Sequence, residues 1–138
     1  MSGSHFVRRF QVLLVPLVLG LALTACQSAT QTRVIALTAL NSSGVTGALT
    51  LTAVDGGHTR VDVAVDPAGY QDMPAHIHPG ACATLVPQPK YPLQSVQFGR
   101  SSTVLSASFA ELTAGGLALN IHASNDYLGT YTACAELR

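Results

Sequence analysis

The chain has 138 residues with seven basic and seven acidic side chains, so its net charge is zero with neutral histidines. No basic patch marks a nucleic-acid partner, and the length suits one small domain. Ala, Val, Leu, Thr, Ser and Gly dominate and Trp is absent.

Met1 to Cys26 reads as a targeting segment. Arg8 and Arg9 form a basic start, and the apolar run Val12 to Leu23 is too short for a comfortable membrane span. The run closes on Leu23-Thr24-Ala25-Cys26, which resembles the lipobox of bacterial lipoproteins. That resemblance implies a signal peptide over 1–25 and a lipid-modified Cys26 as the mature N-terminus. It implies an extracytoplasmic protein anchored to a bacterial lipid bilayer. The alternatives are an ordinary signal peptide with a chance cysteine, or an uncleaved anchor. Residues 26–32 then make the lipidated end and a short polar tether, and 33–138 the folded domain. Beyond Cys26 five basic and seven acidic residues remain, a net charge of −2.

The remainder reads as short strands. Arg33 to Leu40 and Val45 to Ala53 are rich in β-branched and aliphatic residues and are separated by the turn composition Asn41-Ser42-Ser43-Gly44. Asp55-Gly56-Gly57 predicts a tight hairpin. Thr59 to Asp66 alternates, with Val61, Val63 and Val65 inward and Arg60, Asp62 and Asp66 outward. A connection carrying Tyr70 and Asp72 leads to a short strand at His76 to His78. Cys82 to Pro92 contains Pro87, Pro89 and Pro92 and predicts an irregular loop. Gln94 to Phe98, Thr103 to Phe109, Ala118 to Ala123 and Thr130 to Glu136 complete eight strands, with Glu111 to Gly116 as a turn. No helix is predicted, and the spacing suits an all-β sandwich or barrel.

The chemistry concentrates in Ala75-His76-Ile77-His78-Pro79-Gly80-Ala81-Cys82. Alternate side chains leave a strand by one face, so His76 and His78 point together and Ile77 points the other way. In the strand ending at His122, Leu117, Leu119 and Ile121 share one face and Ala118, Asn120 and His122 the other. All three histidines are therefore expected to leave the core and meet on one outer surface. Three imidazoles suit Cu(II), and they suit Zn(II) with an open fourth position. Asp126, Asn120 or a backbone carbonyl would hold the second ring nitrogens. The competing reading makes the His-x-His strand a structural element whose rings bond loop carbonyls. His58 reads as a solvated turn residue, and His5 is lost with the signal. Tyr70, Tyr91, Tyr127 and Tyr131 could line a site; the competing reading makes them half-buried packing residues.

With Cys26 committed to lipid, Cys82 and Cys134 are the one possible intrachain pair, and export favours a disulfide between them. It would contribute on the order of 3–4 kcal/mol. The alternative is two free thiols serving as soft metal ligands.

Three blocks together resemble the copper–zinc superoxide dismutases. Ala75 to Gly80 followed by Cys82 is similar to that family's His-x-His segment before its disulfide cysteine. Asn120 to Gly129, with Asp126-Tyr127-Leu128-Gly129 after His122, is similar to its later copper-ligand strand, where a histidine is followed by an Asp-Leu-Gly element. Ala133-Cys134-Ala135-Glu136 is similar to its C-terminal cysteine strand. Bacterial chordin-type domains also pair a His-Ile-His segment with a later Asn-x-His. The resemblance implies an eight-stranded Greek-key β-sandwich, a Cys82–Cys134 disulfide, and copper on His76, His78 and His122. It also implies a ring-orienting role for Asp126. There are departures. No histidine lies between Cys82 and Asn120, so the family's bridging and zinc ligands have no counterpart, and Tyr131 stands where the family carries its catalytic arginine. The expectation is an envelope lipoprotein that binds one copper ion, with weak or no dismutase activity and no assigned catalytic residue. Its counter-reading is a metal-free structural or interaction lipoprotein. No protein partner is specified.

Overall fold

In a computed structural model, residues 30–67 and 72–138 are described. The expected signal peptide, Cys26, most of the tether and Tyr70 lie outside the described residues.

Eight strands form one antiparallel, nearly closed barrel-like sheet: β1 (Thr32–Ala39), β2 (Thr46–Val54), β3 (His58–Asp66), β4 (Ala75–Pro79), β5 (Tyr91–Pro92), β6 (Arg100–Leu105), β7 (Leu117–His122) and β8 (Tyr131–Glu136). Their order is β5-β4-β7-β8-β1-β2-β3-β6. The chain leaves β3 for the opposite side as β4 and β5, returns beside β3 as β6, and crosses again to place β7 beside β4. These are Greek-key crossings. An isolated bridge between Met73 and Val96 draws the two outer margins of the sheet together.

Period-two alternation built this barrel. Leu49 and Leu51 of β2, Val61, Val63 and Val65 of β3, and Leu117, Leu119 and Ile121 of β7 all fill the core. Ile77 packs among them, which fixes the opposite direction for His76 and His78. The register aligns His76 with Asn120, Asn120 with Cys134, and Cys134 with Thr38, a single row across β4, β7, β8 and β1.

Three local expectations are corrected. Gln94 to Phe98 is not a strand; only Val96 and Gln97 make isolated bridges. Tyr91 and Pro92, expected in an irregular loop, run as a two-residue strand on the free edge of β4. An edge tolerates the missing proline N–H. Phe109–Thr113 is a short helix, α1, where strand and turn were expected. The Ser108 side chain accepts from the Glu111 backbone N–H, and the Ser-x-x-Glu spacing is a helix-start signal that outweighs the local β pattern. Among the described residues no helix is long and apolar enough to cross a membrane.

Candidate metal centre

His76 and His78 project from β4, and His122 from the end of β7, on the outer face of the sheet. One nitrogen from each ring lies within 4.8 Å of the others. Nitrogens bound to one ion at ~2.0–2.1 Å stand about 2.9 to 4.1 Å apart. Ring shifts of under about 1 Å would therefore close the set on an ion.

The shared face is as expected, but its exposure is not. His78 is 2% and His122 5% exposed, while His76 is half-buried. All six residues of β7 are buried on both faces. The cover comes from the two loops that follow the histidines. His78 Nδ1 donates to the Val86 carbonyl at 2.8 Å, and His122 Nδ1 donates to the Leu128 carbonyl. Val86 and Leu128 are themselves exposed at 47% and 48%, so each loop turns its carbonyl inward and its side chain outward.

These bonds fix the ring tautomers. A neutral imidazole that donates from Nδ1 carries a bare lone pair on Nε2. His78 Nε2 is buried and has no hydrogen-bond partner within the protein. His122 Nε2 is 2.9 Å from His76 Nδ1, so His76 Nδ1 donates to it. A cation entering here meets one free lone pair, on His78 Nε2, and gains those of His122 Nε2 and His76 Nδ1 when the His76 proton moves to Nε2.

Burial lowers the His76 pKa first, with repulsion from His122 and His78 adding to the effect. Burial also lowers that of His122; the Leu128 carbonyl opposes the shift and repulsion from His78 adds to it. Folded-state values below the ordinary 6.5 mean that the unfolded chain takes up protons first on acidification. The stability contribution is complete above about pH 6.5 and is lost as pH falls through the lowered values. Thermal melts of the metal-free protein are expected to show Tm falling between pH 7 and 5, and falling less in a His76→Ala/His122→Ala variant. An equal fall in both would place the acid sensitivity elsewhere.

The ring-holding role expected of Asp126 and Asn120 is filled by backbone carbonyls instead. Asp126 lies exposed in the turn Asn125–Tyr127 and makes no hydrogen bond to a ring. A carbonyl presented by loop geometry leaves no residue-type signal, so sequence reasoning could name the possibility but not Val86 or Leu128. Asn120 is fully buried beside the histidines, and neither its Oδ1 nor its Nδ2 has a partner. Tyr131 packs edge-on to His122 with ring centroids 5.2 Å apart. His58, the turn residue, meets the Asp55 carbonyl at 3.1 Å. Tyr91 is tied to Glu111, and Tyr127 is exposed rather than packed.

Cys82 and Cys134 are disulfide-bonded. Free-thiol metal ligation is thereby excluded, and the bond accords with an oxidising, extracytoplasmic compartment. It fastens the loop after His78 to β8, next to Asn120 in the same row.

The fold and site define an antiparallel β-barrel with a three-histidine candidate metal centre. No protein-family model, curated protein or solved structure matches the chain.

Proposed function

We propose that this chain is an extracytoplasmic, lipid-anchored protein whose barrel binds one copper ion through His76, His78 and His122. The observation that carries the reading is the convergence of three ring nitrogens within 4.8 Å of one another, with the rings of His78 and His122 held through Nδ1 by loop carbonyls. Copper is favoured over zinc because Cu(II) heads the divalent affinity order for imidazole sites. The resemblance to copper–zinc superoxide dismutases supports the same three ligands. The role is copper holding, buffering or limited redox chemistry. Dismutation is disfavoured, since Tyr131 offers no positive charge to steer a small anion.

The lipid tether suits this role. β1 starts at Thr32, and the histidine row lies level with Thr38. At ~3.3 Å per residue that row stands about 20 Å along the sheet from the start of β1.

A metal-free envelope lipoprotein is the second reading, favoured by one observation. The His76–His122 hydrogen bond already satisfies two of the three ring nitrogens without an ion. Copper titration of the purified chain, beside the His76→Ala/His122→Ala variant, separates the two. Submicromolar one-to-one binding that is lost in the variant is the expected result. Equal, weak binding by both proteins would overturn the copper reading and leave the metal-free one.

A further inference from the structure

Asn120 is the unexplained group in this region. Its side chain is 0% exposed, yet both amide atoms lack a hydrogen-bond partner. Among the described residues four buried side-chain polar atoms are unpartnered, and three of them lie here: the two of Asn120 and Nε2 of His78. Unmet polar groups clustered on one covered patch point to a missing polar occupant rather than to scattered imperfection.

The register says where Asn120 sits. It is the direct cross-strand partner of His76. His78 is aligned with Ala118, one row to one side, and the His122 N–H bonds the Pro74 carbonyl, one row to the other. The rings of His78 and His122 start from rows on either side of His76–Asn120 and converge with His76, so the set closes over that middle row. Asn120 is therefore at the floor of the site. Cys134 flanks it in the same row, and the disulfide closes the side away from His76.

No hydrogen bond joins the amide to any of the three rings. It does not hold them by hydrogen bonding, and it does not take the place of a ring ligand. A covered polar site of this kind is ordinarily filled by a water with two to four polar partners. We infer that the Asn120 carboxamide holds a water on the bound ion, giving the three-histidine centre a fixed oxygen ligand over the His76–Asn120 row. This rests on the copper reading above. It adds to it that the fourth position is set by this chain rather than left to bulk solvent.

The test compares the full chain, purified in detergent, with Asn120→Leu and Asn120→Asp by copper titration. It adds pulsed EPR of the Cu(II) form in D2O and thermal melts of the metal-free form. Asn120→Leu removes the amide at similar size. It is expected to weaken copper binding about tenfold, as loss of a group that holds a metal's bound partner does. It should also diminish the signal of the exchangeable bound water, while the metal-free Tm stays level or rises, because an unpaired buried amide has gone. Asn120→Asp should bind copper more tightly and lower the metal-free Tm, since its charge lacks a partner until the ion arrives. If Asn120→Leu lowers the metal-free Tm while affinity and water signal match the wild type, Asn120 is a packing residue and the inference is overturned. Unchanged copper affinity in Asn120→Asp would also overturn it, should the leucine variant not fold. If the wild type itself binds no copper, the copper reading fails, and this inference with it.

Discussion

Removing the Cys82–Cys134 bridge, as Cys82→Ala/Cys134→Ala, is expected to lower stability by about 4 kcal/mol and to weaken copper binding at least tenfold. The first figure follows from the 52-residue separation of the cysteines, whose cross-link restricts the unfolded chain. A small domain holds roughly 5–15 kcal/mol in all, so a loss of this size should shift Tm by more than about 15 °C. The second effect comes from where the bridge attaches. Cys82 lies between His78 and Val86, and the Val86 carbonyl fixes the His78 ring. With the bridge gone, that loop keeps three backbone bonds: Gly80 N–H to Gly116, Thr84 N–H to Ala81, and Val86 N–H to Pro79. Each carries only about 1 kcal/mol net. The His78 lone pair then loses its fixed aim, and the ion must order the loop as it binds. Melting curves and copper titrations of the alanine pair check both numbers. A large Tm loss with unchanged copper affinity would show that the backbone bonds alone hold the loop.

Much of this was legible in the sequence because strand periodicity is a strong signal where one face is buried. Val61, Val63 and Val65 announced β3 without help, and Ile77 between two histidines fixed their common direction. The same argument placed His122, forty-four residues away, on the matching face. Periodicity speaks only of inside and outside a sheet, however, and is silent on what lies over the outside. So the histidines were expected on an open surface, and the structure instead covers them with the loops that begin at Gly80 and end at Thr130. The burial of Asn120 was hidden for the same reason. Tyr91 and Pro92 were lost to their prolines, since composition cannot distinguish a loop from an edge strand that needs no donor on one side.

Gly80→Ala is expected to cost about 3 kcal/mol or more and to weaken copper binding with it. Gly80 ends the His-x-His strand with φ of 108°, a conformation that L side chains rarely adopt. Space is lacking as well: an added Cβ would run into the Thr84 carbonyl oxygen and sit 3.4 Å from Leu85 Cα, both backbone atoms of the covering loop. Relief would require that loop to lift, and with it the Val86 carbonyl that aims His78. Gly44→Ala provides the matched control. Its φ is also positive, at 71°, but nothing lies within 4 Å of the added methyl. It should cost only about 1 kcal/mol and leave copper affinity alone, because its turn joins β1 to β2. Urea unfolding gives the two stabilities, and titration gives the two affinities. Equal costs for both alanines would mean that φ alone sets the penalty. Normal copper binding by Gly80→Ala would mean that the loop can move without releasing His78. A larger penalty at Gly80, accompanied by weakened binding, ties the chain's one Pro-Gly corner to the site that it roofs.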